Sequence, residues 1–165
     1  MATYWRKAAW PWASIGLLLA LAIPAIAQAW PAKVVRITDG DTITVLNRDQ
    51  VQLRIRLYGI DCPERKQPFG KKAKEFVAQL AGARQVDIHG TENDRYGRVI
   101  GLVILPDGTN LNLAIIDAGL GWVYRKYCTK LFCQDWLEAE DQARKARRGL
   151  WVDKNPVPPW DWRRK

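Results

Sequence analysis

The sequence predicts an α+β fold in which five short strands close into a small barrel, with about three helices around it. Three observations lead there. β-branched runs punctuated by turn signals dominate the chain just after residue 30. Helical periodicity gathers in the later half. The 165 residues, 48% of them hydrophobic, suffice for one core of ordinary size but not for two full domains.

The elements follow in order. Lys33 to Ile37 and Thr42 to Leu46 are β-branched runs separated by the turn Thr38-Asp39-Gly40-Asp41, and Asn47-Arg48-Asp49 is a second turn. Val51 to Tyr58 alternates apolar and polar without error, which places Gln52, Arg54, Arg56 and Tyr58 together on the face away from the core. Gly59 and Pro63 end that strand, and a helix is predicted over Lys71 to Leu80. Gln85 to His89 and Val99 to Leu105 are the last two strands, flanking a polar loop from Gly90 to Arg98. Pro106-Asp107-Gly108 turns the chain into a short helix, Leu111 to Ala118, stopped at Gly119. Gln134 to Arg148 reads as a helix with Glu140–Arg144 and Asp141–Lys145 pairs, capped by Gly149. Such a series fits an OB-fold-like β-barrel, the five-stranded oligonucleotide-binding kind. The tail from Asn155 carries three prolines, which exclude a helix there, and is expected to strap onto the domain through its tryptophans; a loose basic arm is the alternative.

Residues 1–29 have the three-part form of a secretory signal. Arg6 and Lys7 precede a charge-free stretch from Ala8 to Ala32, with an apolar run from Ile15 to Ile23 broken by Pro24 and small residues at Ala25-Ile26-Ala27 and Ala27-Gln28-Ala29. Retained, the same stretch would just span a bilayer of roughly 30 Å and anchor the protein facing outward. The expected location is therefore secreted or periplasmic, with membrane anchoring as the alternative. Export favours a Cys128–Cys133 disulfide over two reduced thiols, although closing so short a loop stabilises by only about 2 kcal/mol. Cys62, between Asp61 and Glu64, is a poor nucleophile because acidic neighbours disfavour a thiolate. A single histidine, His89, excludes a multi-histidine metal centre.

The net charge is +9, of which two positive charges lie in the leader, so the mature chain carries +7. A polyanion, nucleic acid or an acidic membrane surface, is the expected partner. Asp39 and Asp41 flank one turn while Asp61 and Glu64 flank another, after strands that can be neighbours. Taken singly, Asp-Gly-Asp reads as a hairpin turn and Asp-x-Pro-Glu as a helix start, and the alternation does not separate Arg56 from a solvated Arg54. Taken together, hard oxygen ligands without His or Cys favour Ca²⁺ or Mg²⁺. Arg56 and Arg98 beside such a cation and a spare carboxylate suit phosphodiester hydrolysis.

The ordered pieces Ile37-Thr38-Asp39-Gly40-Asp41-Thr42, Arg56 through Glu64, and Asp94-Arg95-Tyr96-Gly97-Arg98 carry a resemblance to the thermonucleases, the staphylococcal (micrococcal) nuclease-like family. Leu111 to Ala114, Gly119-Leu120 and Gly149-Leu150-Trp151 fall in the same order, and the likeness spans about Ala32 to Trp151. The domain expected from it covers 30–152, followed by a Pro/Trp-rich basic tail over 153–165. The resemblance implies Asp41, Asp61 and the main-chain carbonyl of Cys62 as Ca²⁺ ligands, Glu64 as general base, and Arg56 and Arg98 as phosphate clamps. It puts Arg95 and Tyr96 at a nucleotide pocket, with Tyr124 or Tyr127 adding a phosphate contact, and leaves Asp39 as a turn residue or one behind the ligands. It implies cleavage of DNA and RNA to 3′-phosphate ends. Single strands are the expected preference, since bases must splay to reach a barrel-side pocket, and Lys71, Lys72 and Lys74 would add sequence-independent attraction. A monomer is expected. The chain departs from the best-known member in having Cys62 for Thr, a shorter segment over Arg65 to Lys74, the Cys128/Cys133 insert and the tail. A non-catalytic OB-type nucleic-acid-binding module and an envelope-anchored interaction protein are the competing readings.

Overall fold

The computed structural model describes residues 29–164, so the predicted leader lies almost wholly outside the described residues. Among these residues no helix is long and apolar enough to cross a membrane. Five strands close a mixed barrel: β1 (Trp30–Ile37), β2 (Thr42–Leu46), β3 (Gln52–Leu57), β5 (Gln85–Asn93) and β6 (Val99–Ile104), in the order β1-β2-β3-β6-β5. β4 (Ile60–Asp61) stands apart and pairs antiparallel with β7 (Trp122–Val123). The helices are α1 (Gly70–Ala81), α2 (Leu111–Asp117), α3 (Cys133–Lys145) and the single turn α4 (Pro159–Trp162), with a 3-10 helix over Gly149–Val152.

The strict alternation of β3 drives the closure. Ile55 and Leu57 enter the core beside Val34, Ile43, Val45, Ile88 and Val103. β2 and β3 pair in register from Thr42↔Arg56 to Leu46↔Gln52, while β3 and β6 run parallel from Ile55↔Val99 to Leu57↔Gly101. Asn112, fully buried on α2, satisfies three backbone groups at that seam. Its amide nitrogen donates to the carbonyls of Tyr58 and Gly101 and its oxygen accepts from Val103 N–H. A second cluster of Trp122, Ala143, Leu150 and Trp151 sits beside the first, with Phe69 and Trp160 packed on it.

Several boundaries differ from the sequence reading. β1 begins three residues early because Trp30 to Lys33 pair with β5, and the Trp30 indole N–H donates to the Gly90 carbonyl. β5 runs four residues into the expected polar loop, past an irregularity between His89 and Glu92. α3 ends at Lys145 rather than Arg148, and Ala146, not Gly149, is its C-cap. Arg147 takes a left-handed φ of 51° and turns the chain, so Gly149 opens the 3-10 helix instead. The tail contains a helical turn despite its prolines, because Pro159 occupies the first helical position, where no backbone N–H is needed. The tail is a strap: Pro159 is buried, and Trp160 stacks on Tyr124 at 5.0 Å and meets Trp122 edge-on at 6.4 Å. Cys128 and Cys133 are disulfide-bonded across the loop that leads into α3.

Candidate active site

The β2–β3 register builds the first half of the site. Thr42 lies opposite Arg56, so Asp41 stands at the strand end against the Arg56 side chain, and Leu57 N–H donates to the Asp41 carbonyl at 2.8 Å. The β4–β7 pairing supplies the second half by seating Asp61 opposite Trp122. The two turns are pressed together at Gly40. A Cβ placed there would lie 2.8 Å from both Ala73 Cβ and Cys62 Cβ, so the Asp39-Gly40-Asp41 turn approaches Cys62 only because it has no side chain. Gly70 does the same for Glu64, since a Cβ at the first residue of α1 would overlap the Glu64 carbonyl.

Arg56 bridges the two turns. One of its terminal nitrogens lies 2.5 Å from Asp41 Oδ1 and the other 2.9 Å from Asp61 Oδ1. The remaining Asp41 oxygen accepts from Cys62 N–H at 2.8 Å. The alternation of β3 left Arg54 and Arg56 equivalent, but the structure separates them. Arg56 is 15% exposed and doubly paired, whereas Arg54 is solvated and donates to the Tyr96 carbonyl. Burial works against the charge on Arg56, yet Asp41 and Asp61 more than offset it and hold the group protonated. Burial would likewise raise Asp41, but Arg56 and the Cys62 N–H outweigh it and leave Asp41 below its usual range. Asp61, 1% exposed, moves the other way, raised by burial that its arginine contacts do not fully offset. Asp39 is a turn residue: its Oδ1 accepts from Asp41 N–H at 3.1 Å, and burial and then the Asp41 charge raise its pKa to about 6. The Cys62 side chain is buried and its thiol pushed well up, which makes it inert.

Glu64 projects beside this pair and is 41% exposed. No helix starts at Asp61-Cys62-Pro63-Glu64; instead Glu64 N–H donates to the Gln67 side chain at 3.0 Å and Gln67 N–H returns to the Glu64 carbonyl at 2.8 Å. Arg98 lies in the β5–β6 turn, where Asp94 holds it. The Asp94 carboxylate takes Nε and Nη2 of Arg98 at 2.7 Å each and also accepts the Tyr96 and Arg98 backbone N–H groups. Arg95 and Arg98 both lie over the exposed Tyr96 ring, at 4.8 and 5.4 Å. Tyr124 and the exposed Tyr127 pack edge-to-face at 4.8 Å, and the Trp160 ring covers Tyr124. Contacts therefore knit Asp41, Arg56, Asp61 and Cys62 into one cluster, which Glu64 joins through Arg163, while Arg98 with Arg95 and Tyr96 forms a second and Tyr124 with Tyr127 a third.

Sequence reasoning missed Arg163. Its Nη2 lies 2.7 Å from Asp61 Oδ2 and its Nη1 lies 2.6 Å from Glu64 Oε1, from a tail 102 residues away from Asp61. The signal was the basic end of a Trp-rich strap, but nothing local in Arg163-Arg164-Lys165 says where it lands. Among the described residues no three His, Cys, Asp or Glu side chains are grouped to hold a metal. Two acidic side chains and a main-chain carbonyl would leave part of the coordination to water. Hard oxygen donors of that kind would suit Ca²⁺ or Mg²⁺ by their chemistry, and the Arg163 guanidinium already pairs with Asp61. Beside Glu64, Arg65, Lys66, Lys71 and Lys72 line a basic hollow of about 610 Å³.

The small mixed barrel thus carries a carboxylate–arginine cluster where β2 and β3 meet the turn into β4, and further arginines on the β5–β6 hairpin. Comparison with known sequences makes the assignment: the profile of the family described as Staphylococcal nuclease homologue matches residues 54–153, and the chain belongs to that family of nucleases. It is 40% identical over 142 residues to an uncharacterised endonuclease of Escherichia coli, covering 82% of this chain and 90% of that one. It is also 40% identical over 156 residues to a micrococcal nuclease of Shigella flexneri, covering 90% and 88%. Likeness extends to a staphylococcal-like nuclease of Arabidopsis thaliana, 35% identical over 113 residues, covering 68% of this chain and 34% of the plant protein.

Proposed function

We propose that this nuclease hydrolyses phosphodiester bonds of DNA and RNA with Glu64 as general base and Arg56 and Arg98 neutralising the charge that builds on the phosphoryl group. Asp41, Asp61 and the Cys62 carbonyl would hold Ca²⁺. A hard cation there supplies Lewis-acid stabilisation of the phosphoryl oxygens. The observation that supports the reading is the Arg56 bridge between two buried carboxylates, Asp41 and Asp61, with the exposed Glu64 tied to Asp61 through Arg163. Glu64 takes a proton from the attacking water, the task its exposure and its backbone anchor to Gln67 suit. Asp94 fixes the plane of Arg98 beside Tyr96, so one nucleotide is oriented by a ring and a charge together. The 3′-phosphate ends, the preference for single strands and the monomeric state follow the family resemblance and the barrel-side position. The basic hollow beside Glu64 supplies salt-sensitive attraction for the backbone. Export is inferred from residues 1–29, supported by the Cys128–Cys133 disulfide, which persists in an oxidising compartment.

The test is cleavage of single-stranded DNA by the purified protein in Ca²⁺ and in a chelator, beside Glu64→Gln. Cleavage should need the cation and fall by about 10²- to 10⁴-fold in the variant. Tight binding with no cleavage in any divalent cation would instead establish a non-catalytic nucleic-acid-binding module.

A further inference from the structure

We propose that Arg163 is an internal counter-cation of the active site, held across Asp61 and Glu64 by the C-terminal strap and displaced when a divalent metal binds, so that the strap sets the metal concentration at which the site becomes competent. The inference rests on the reading of Asp61 as a metal ligand and Glu64 as the base.

Arg163 uses both terminal nitrogens. Nη2 takes Asp61 Oδ2 at 2.7 Å, while Nη1 takes Glu64 Oε1 at 2.6 Å and Asp61 Oδ1 at 3.3 Å. The Asp61 carboxylate thereby accepts two contacts from Arg163 and one from Arg56, which shares Oδ1. A metal binding Asp61 competes with Arg163 for both of its oxygens. The Asp61–Arg163 pair is the one suited to exchange, because Arg163 is 43% exposed and Arg56 only 15%.

The strap is built to deliver this group. Trp160 and Arg163 are three residues apart on one turn and so share a side of it. Trp160 anchors that side by stacking on Tyr124 at an interplanar angle of 14°. Gln67 ties the strap to the base: its buried side chain donates to the Val157 carbonyl at 2.5 Å and accepts from Glu64 N–H. The residue that fixes the Glu64 backbone therefore also fixes the strap, and Tyr124 is covered in the same arrangement. A ligand shifts such an equilibrium only through its differential affinity for the two states, and the metal supplies it by competing for Asp61.

Calorimetric titration of Ca²⁺ into the protein at about 0.15 M salt tests this without reference to cleavage. Arg163→Gln is expected to lower the Kd roughly five- to tenfold, the size of one charge-assisted pair to a buried carboxylate. Arg163→Lys should fall between, since it keeps the charge and loses the fork. Trp160→Ala should shift the Kd the same way by loosening the strap. Arg164→Gln removes an equal charge one residue on, from a group paired with Asp161, and should move the Kd by less than twofold. An unchanged or raised Kd in Arg163→Gln overturns the proposal, as does an equal fall in Arg164→Gln. If Asp61→Asn abolishes binding while Arg163→Gln leaves it untouched, only the counter-cation fails; if no form binds Ca²⁺, the metal reading fails with it.

Discussion

Arg56 reaches Asp61 from within a barrel strand, and Arg163 reaches the same carboxylate from a single helical turn at the end of a proline-rich strap. The strand fixes Arg56 through continuous pairing on both sides, with Thr42 opposite on β2 and Ile100 opposite on β6. It is enclosed with Asp41 and cannot leave without stripping that buried acid of its guanidinium and Asp61 of one of its two. The anchors of the strap that carries Arg163 include the Trp160 ring stack and edge contact, the buried Pro159 and the Gln67–Val157 hydrogen bond. Equal charges at almost equal distances thus differ in how much of the fold must move to release them. The barrel supplies a permanent part of the site and the strap a removable one.

The comparison breaks most directly at Arg56. Arg56→Ala leaves Asp41 and Asp61 buried without their shared partner, and a loss of about 3–5 kcal/mol by urea unfolding is expected. Arg163→Ala should cost about 1 kcal/mol or less, because its side chain is nearly half exposed. Equal losses would erase the distinction between the two regions. Gly40→Ala comes next, at about 1–3 kcal/mol, since its methyl group meets Cys62 and Ala73 at 2.8 Å and must push the two acidic turns apart. Trp160→Ala should cost about 1 kcal/mol and speed proteolysis within residues 153–158, while the barrel stays intact. Cleavage spreading into β2 or β3 would show that the strap supports the barrel.

A further effect is electrostatic and appears only as a pH dependence. The pKa of Asp39 is raised to about 6 in the fold from an ordinary 3.8, so its stabilising contribution is complete below about pH 4 and disappears as pH rises through 6. Asp39→Asn removes that dependence. The Tm of the variant relative to the parent should therefore climb between pH 4 and 6.5 and flatten above. A flat difference across that range would mean that Asp39 ionises in the fold as it does in water.

Much of the fold was legible in local pattern. Val51 to Tyr58 announced its faces because a half-buried strand must alternate, and the Glu140–Arg144 and Asp141–Lys145 pairs of α3 form as spaced, at 3.4 and 2.5 Å. Failures came where local rules met distant partners. Trp30 is a strand residue because β5 lies beside it, and the tail turns helical because Pro159 falls at the one helical position that tolerates it. α3 stops short because Arg147 reverses the chain toward Gly119, against which Gly149 packs.

By itself the sequence determined the chemistry available: acidic turns after β1 and after β3, arginines on a strand and on a hairpin, a barrel to hold them, and a family. Those are properties of residue type and short-range spacing, which backbone geometry converts directly into strands and turns. The tertiary structure decided which charges meet. Arg56 and Arg54 are indistinguishable along the strand, and only enclosure by Asp41 and Asp61 separates them. Arg163 carries no local mark at all, because an ion pair depends on distance and burial, and folding sets both across 102 residues of intervening chain.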